Sequence, residues 1–169
     1  ITLDDMFRDD FDAVFIGTGV WRPKKLGIKG ESLGNVHFAI DYLKTPKAYD
    51  LGKKVIVVGA GNVAMDVART AIRNGAHEVS IMYRKGEEDM PAERIEIEHA
   101  KIDGVKFNLF KSPLEFSETG IKYENTKEDD NSIAFEEADS ILIAISQTAR
   151  DLIVKNNTGL SLGENGLLE

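Results

Sequence analysis

The clearest periodicity in the chain lies between Lys53 and Lys85. Val55, Ile56, Val57 and Val58 form an unbroken β-branched run, the pattern of a parallel strand covered on both faces. The recurrence then lengthens to four residues: Val63, Val67 and Ala71, with Ala64 and Ala68 beside them, make one apolar stripe along a helix. Asp66, Arg69, Thr70 and Arg73 fall largely outside the stripe, and Gly75 stands where a helix end is capped. Val79, Ile81 and Tyr83 alternate afterwards as a second strand. Pro91 and Glu93 suit a further helix start, with Ile95, His99 and Ile102 on one face. Gly104 stops that helix before a strand from Val105 to Phe110.

The order β-α-β-α-β is half of a Rossmann unit. Beyond it, Leu114 to Ser117, Gly120 to Thr126 and Ser132 to Phe135 predict short antiparallel strands, and Ile141 to Ala144 another buried parallel strand. The expected fold is α/β, a Rossmann-like three-layer domain with a parallel sheet and a short antiparallel meander.

The turn between the first strand and helix carries the chemistry. Gly59 allows a sharp bend, and Gly61 lets backbone approach a pyrophosphate with no Cβ in the way. Ala64 replaces the third glycine of the dinucleotide pattern with a methyl small enough for close helix–strand packing. The helix then directs unpaired N–H groups and positive partial charge at the phosphates. Glycines alone are weak evidence; strand, turn, helix, stop and strand in order are stronger. Gly59, Ala60, Gly61, Asn62 and Val63 are therefore the expected pyrophosphate cradle. A glycine loop of another α/β protein, such as a methyltransferase, is the alternative.

The end of the second strand selects the dinucleotide. NAD-preferring sites place a carboxylate about 20 residues past the glycines, for the ribose 2′-hydroxyl. This chain has Arg84 and Lys85 there. A guanidinium fork binds a 2′-phosphate that a carboxylate would repel. NADPH is the expected cofactor, with Arg84 its leading 2′-phosphate ligand and Lys85 second. Glu87, Glu88 and Asp89 follow; a carboxylate among them turned inward is the alternative, but ahead of the next helix they read as solvated loop residues.

The stretch from Val55 through Gly59-Ala-Gly-Asn-Val-Ala to Tyr83-Arg-Lys and Met90-Pro-Ala resembles the NADPH-binding domain of the glutamate synthase small-subunit-like family of FAD-dependent pyridine nucleotide oxidoreductases. NADPH-linked ferredoxin oxidoreductases and the flavin half of dihydropyrimidine dehydrogenase are relatives. The resemblance implies that electrons pass from NADPH to FAD and leave through iron–sulfur centres toward a partner subunit or domain. Asp12 to Gly19 resembles the strand and glycine turn returning from the FAD domain, and Ala138 to Gln147 the strand closing the nicotinamide domain. The resemblance also puts Gly17 to Gly19 and Ala144, Ile145 and Ser146 near the nicotinamide half. The family usually has glycine at Ser146 and often proline near Ala149.

The implied organisation is a partial FAD-domain return segment over 1–44, an NADP-binding domain over 45–147, and the start of a C-terminal FAD-domain segment over 148–169. The Rossmann-like unit is then flanked by remnants of an FAD domain. A second, N-terminal FAD fingerprint and a C-terminal Gly-Asp segment are not seen, so FAD is expected in the full-length protein and not in this chain. Trp21 is expected to cover apolar surface that the FAD domain otherwise occupies. The expected partners are the FAD domain of the same chain and an iron–sulfur electron-transfer subunit or domain. A non-enzymatic NAD(P)-sensing module and a stand-alone dehydrogenase are the alternative functions.

Composition narrows the field. The 169 residues suit one compact unit. No apolar run nears the ~18–20 residues of a membrane span. A net charge of −8 disfavours nucleic acid. The absence of cysteine excludes a thiolate metal site, an iron–sulfur cluster and the redox Cys-x-x-Cys of thioredoxin reductases within this segment, and fits a cytoplasmic setting.

No catalytic acid, base, nucleophile or metal ligand is assigned. His37, His77 and His99 lack metal-site spacing. Tyr123 and Lys127 match a Tyr-x-x-x-Lys pair, but on a hairpin residues four apart are separated by about 13 Å. Glu128 to Asp130 reads as a solvated turn, and Asp66 as a partner of the helix dipole.

Overall fold

The computed structural model describes all of the chain except residues 1, 18, 21, 129, 149–151, 165, 166 and 169, and the side chain at 148. Thr18, Trp21, Asp129 and Ala149, each given a role above, lie outside the described residues. In chain order the elements are α1 (Leu3–Arg8), β1 (Arg22–Pro23), β2 (Val36–Phe38), α2 (Ala39–Lys44), β3 (Lys54–Val58), α3 (Asn62–Arg73), β4 (Glu78–Tyr83) and α4 (Arg94–Ile102). Then follow β5 (Lys106–Leu109), β6 (Lys111–Ser117), β7 (Gly120–Asn125), β8 (Ile133–Glu137), β9 (Ser140–Ile143), β10 (Gln147–Thr148) and α5 (Leu152–Lys155). Two compact units result, one of Lys25–Ser146, the other of Ile1–Lys24 with Gln147–Glu169.

In the larger unit five parallel strands run in the order β2-β9-β3-β4-β5, and β6, β7 and β8 form a separate antiparallel sheet. The three layers explain the unbroken apolar run of β3, whose residues Val55 to Val58 are at most 3% exposed. Val55 and Val57 join a core with Ala64, Val67 and Ala68 of α3, whereas Ile56 and Val58 join one with Phe116, Ile121 and Tyr123 of the meander. Each such side chain, fully buried, is worth roughly 1.5–3 kcal/mol. Glu136 of β8 bridges the two sheets, accepting from Asn108 Nδ2 at 2.6 Å, Ser80 Oγ at 3.3 Å and Lys111 Nζ at 3.0 Å.

On the opposite side α3 and α4 are joined through charge. Arg69 reaches Glu96 at 3.0 Å and Asp103 at 2.8 Å, and Arg73 shares Asp103 at 2.8 Å. The face that α4 buries differs from the expected one. Ile95 and Ile102 are 59% and 79% exposed, while Ile97 and Ala100 are buried. The residues after Pro91 bond to the glycine turn instead of entering the helix, so α4 starts only at Arg94, with Glu93 as N-cap.

Two other segments differ from expectation. Asp12 to Gly17 forms no strand, because an extended segment becomes a strand only opposite a ladder partner. The compact unit also begins at Lys25, so the boundary expected near Thr45 falls inside it. The reason is that Val36–Phe38 pairs with β9 and Tyr42 is fully buried in the helical core.

The smaller unit holds α1, closed by a capping box between Thr2 and Asp5, and the antiparallel pair β1–β10. Phe15 is 96% exposed there. Among the described residues no helix is long and apolar enough to cross a membrane.

Two outcomes follow for stability. Urea denaturation should show Ile97→Ala destabilised by about 2–4 kcal/mol and Ile95→Ala within about 0.5 kcal/mol of the parent. At the entry to β3, Asp139 Oδ2 accepts the Lys53 and Lys54 backbone N–H groups at 2.7 and 2.8 Å. The Lys54 donor first, then Lys53, holds this carboxyl below its ordinary value of 3.8. A depressed carboxylate contributes stability that is fully present above the unfolded value and lost as pH falls through the folded one. The stability difference between the parent and Asp139→Asn should therefore shrink as urea melts are taken below pH 3.8. A difference independent of pH would remove Asp139 from this role.

Candidate functional site

The site is assembled where three parallel strands end together. Val58 lies opposite Met82 of β4 and Ile143 of β9, so the residues after each strand emerge at one edge. These are Gly59 to Val63, Arg84 and Lys85, and Ala144 to Ser146. The chain leaves β3 toward β4 and β5 on one side, while β9 lies on the other. Such a switch in strand order opens a crevice at the carboxyl edge, the place where open α/β sheets take ligands.

Gly59 is required by the protein itself. Its φ is 126°, and a Cβ there would run into the Ala144 carbonyl. Its N–H continues the ladder to Met82 O at 3.0 Å, and Ala144 N–H donates to Val58 O at 2.8 Å. The glycine turn and the segment after β9 are thus in backbone contact.

Gly61 is different. It has ordinary dihedrals, φ −86° and ψ 177°, and the nearest atom to an added Cβ is Pro91 Cγ at 3.9 Å. Nothing in the fold demands a glycine there; a ligand lying on the backbone would. It caps α3 with no side-chain bond. Its carbonyl accepts from Ala64 and Met65 at 2.9 and 3.2 Å. Among the described residues no protein group accepts from the N–H of Asn62 or Val63. Those donors head a 12-residue helix, which favours an anion. A pyrophosphate fits both features.

The Asn62 side chain has a separate task that the sequence did not disclose. Its Oδ1 accepts the Glu93 N–H at 2.8 Å, and Ala92 N–H donates to Ala60 O at 3.2 Å. The segment before α4 is stitched to the glycine turn by these bonds. An asparagine beginning a helix suggests a local cap; that it serves the next helix is a long-range fact.

At the end of β4, Arg84 is exposed and, among the described residues, in no ion pair. Its carbonyl accepts from Thr126 Oγ1, and Lys85 O from Phe110 N–H at 3.2 Å, which fixes the backbone beneath both cations. Lys85 Nζ lies 3.7 Å from Asp89. Glu87 pairs with Lys101 at 2.7 Å, and Glu88 lies 3.5 Å from Arg94. The three acids form an exposed 3-10 turn. Ser146, the position of the family's glycine, has φ 158°, close enough to extended backbone for a serine.

The residues set aside in the sequence have other surroundings. Tyr123 stacks under Lys111 Nζ, 4.4 Å from the ring centroid, and Lys127 lies beyond the end of β7. His37 meets Tyr49 edge-on at 5.1 Å, and burial lowers its pKa. No metal-binding cluster occurs among the described residues.

Known proteins resemble the chain in sequence and in fold. The NADPH-Fe(3+) oxidoreductase subunit beta of Geobacter sulfurreducens is 41% identical over 117 residues, 64% of this chain and 17% of that protein. The glutamate synthase [NADPH] small chain of Escherichia coli is 35% identical over 128 residues, 68% of this chain and 27% of that one. The chain thus spans only about a sixth to a quarter of these relatives' lengths. Among solved structures, thioredoxin reductase of T. acidophilum superposes with a TM-score of 0.72 at 21% identity, over 86% of this chain and 48% of that one. The likeness is one of fold, and the present chain has no cysteine. The family described as pyridine nucleotide-disulphide oxidoreductase matches residues 2–169, and the chain belongs to it.

Proposed function

We propose that this chain is the NADPH-preferring dinucleotide domain of an FAD-dependent electron-transfer oxidoreductase resembling the glutamate synthase small subunit. The observation that carries the reading is the pairing of Gly61, a glycine the fold does not need, with the unpartnered N–H groups of Asn62 and Val63. The NADPH in its relatives' names and the exposed Arg84 at the next strand end support the choice of dinucleotide.

In this reading Gly59, Ala60, Gly61, Asn62 and Val63 hold the pyrophosphate, and Arg84 and Lys85 the 2′-phosphate. Ala144, Ile145 and Ser146 border the nicotinamide half across the switch point. A nicotinamide bound there would supply hydride chemistry toward the FAD of the full-length protein. Positioning is what the chain contributes, since aligning donor and acceptor replaces proton chemistry in such a step. No side chain of this chain needs to act as acid or base. The FAD domain of the same polypeptide and an iron–sulfur subunit or domain are the partners of this reading, and its setting is cytoplasmic.

Two measurements test it. Gly61→Ala should keep its thermal midpoint within about 3 °C of the parent, since the added methyl has room, yet lose NADPH affinity more than about tenfold by calorimetry. Retained affinity would place the pyrophosphate elsewhere. In the same assay NADPH should bind more tightly than NADH, and Arg84→Ala should cost NADPH about 1.5–3 kcal/mol and leave NADH unchanged. Equal binding of both, unaffected by Arg84→Ala, would refute the 2′-phosphate assignment.

A further inference from the structure

Acidic residues beside an anion site call for an explanation. Arg84 has no ion pair among the described residues, but its neighbour Lys85 already faces a carboxylate, Asp89 Oδ1 at 3.7 Å. The arrangement is built. Tyr83, the last residue of β4, donates its hydroxyl to the Asp89 carbonyl at 2.8 Å, so the backbone of Asp89 is pinned to the strand end that carries Arg84 and Lys85. Its neighbours turn elsewhere: Glu87 is held by Lys101 at 2.7 Å, and Glu88 faces Arg94 at 3.5 Å. Asp89 alone among the three acids is paired with a cation of the candidate 2′-phosphate site.

We infer that Asp89 sets the margin between NADP(H) and NAD(H) by competing with the 2′-phosphate for Lys85. The inference rests on the reading that Arg84 and Lys85 take that phosphate. Both partners are about half exposed, 53% and 51%, so their mutual attraction is screened and the pair opens readily. A phosphate monoester brings about −1.5 to −2 charges against the carboxylate's single one, and it takes Lys85 from Asp89. A dinucleotide with a free 2′-hydroxyl has no charge with which to open the pair, and the Lys85–Asp89 contact persists. The cost of breaking it therefore falls only on the phosphorylated cofactor. Asp89 acts through Lys85 and is a positioning residue.

The test is calorimetric titration of NADPH and NADH into the parent chain, Asp89→Asn, Glu87→Gln, Lys85→Ala and Lys85→Ala/Asp89→Asn. Asp89→Asn should tighten NADPH about two- to fivefold, the range of an exposed ion pair, and leave NADH unchanged. Glu87→Gln removes the same charge from the same turn but should change NADPH less than twofold, because its carboxylate belongs to Lys101. In the Lys85→Ala background Asp89→Asn should have no effect. Equal gains from Glu87→Gln and Asp89→Asn, a gain surviving in Lys85→Ala, or no gain at all would overturn the exchange. Failure of the parent chain to prefer NADPH would instead overturn the underlying cofactor reading, which separates the two.

Discussion

The structure depends on a contact between two backbones, Gly59 against the Ala144 carbonyl. Strands β3 and β9 run parallel side by side, and their ends diverge at the place where strand order switches. Only a residue without a Cβ, at φ 126°, lets the chain leave β3 so close to the end of β9. A side chain at Gly59 would push the two strand ends apart and strain the bond from Ala144 N–H to Val58 O. The proposed pyrophosphate turn and Ala144 to Ser146 lie within a few residues of that contact, and Arg84 follows closely on Met82, whose carbonyl accepts the Gly59 N–H. The demand for glycine is thus internal at position 59 and, in the proposed reading, external at position 61, so two identical residues carry different kinds of information.

The packing of β3 explains why this edge is rigid. Alternate residues of the strand feed separate cores, the helical one and that of the meander, so a slip of one residue would exchange both sets at once. The meander also does more than cover apolar surface. Glu136, 16% exposed, carries hydrogen bonds from both sheets and an ion pair with Lys111. Burial opposes the charge on Lys111, but Glu136 and Tyr123 outweigh it and raise the Lys111 pKa. Replacing one partner of such a pair strands the other's charge, so the junction specifies how the layers meet more than it adds stability.

Much of this was legible in the sequence, for identifiable reasons. The β-branched run, the four-residue stripe and the glycines between them are local patterns, and β3, α3 and β4 form where those patterns predict. The meander was legible too, because its turns carry Gly120 and polar runs. What was not legible depends on contacts far apart in the chain. The inward face of α4 is set by its late start at Arg94, and that start is set by bonds to residues 60–62; the apolar Ile95 and Ile102 misled because an exposed isoleucine looks like a buried one in sequence. Strand β2 hid because three residues carry too little periodicity, and its partner β9 comes about a hundred residues later. The cations at 84 and 85 were evident, but not that among the described residues one is paired and the other is not, since ion-pair choice within a loop follows its turn geometry.

The bonds between residues 60–62 and 92–93 have a consequence for recognition. The turn that would hold the pyrophosphate and the loop that carries Arg84, Lys85 and Asp89 are separate in sequence, yet Asn62 Oδ1 and Ala60 O tie the end of that loop to the turn. Its beginning is held by the bonds that the Arg84 and Lys85 carbonyls accept from Thr126 and Phe110, and Asp89 is tied to β4 through the Tyr83 hydroxyl. A loop fixed at both ends pays its ordering entropy when the protein folds and not when a ligand arrives. The spacing between the two proposed anion positions is therefore a property of the folded sheet edge. In the proposed reading a dinucleotide carrying a third phosphate would meet this fixed loop, and one that lacks it would leave Lys85 with Asp89.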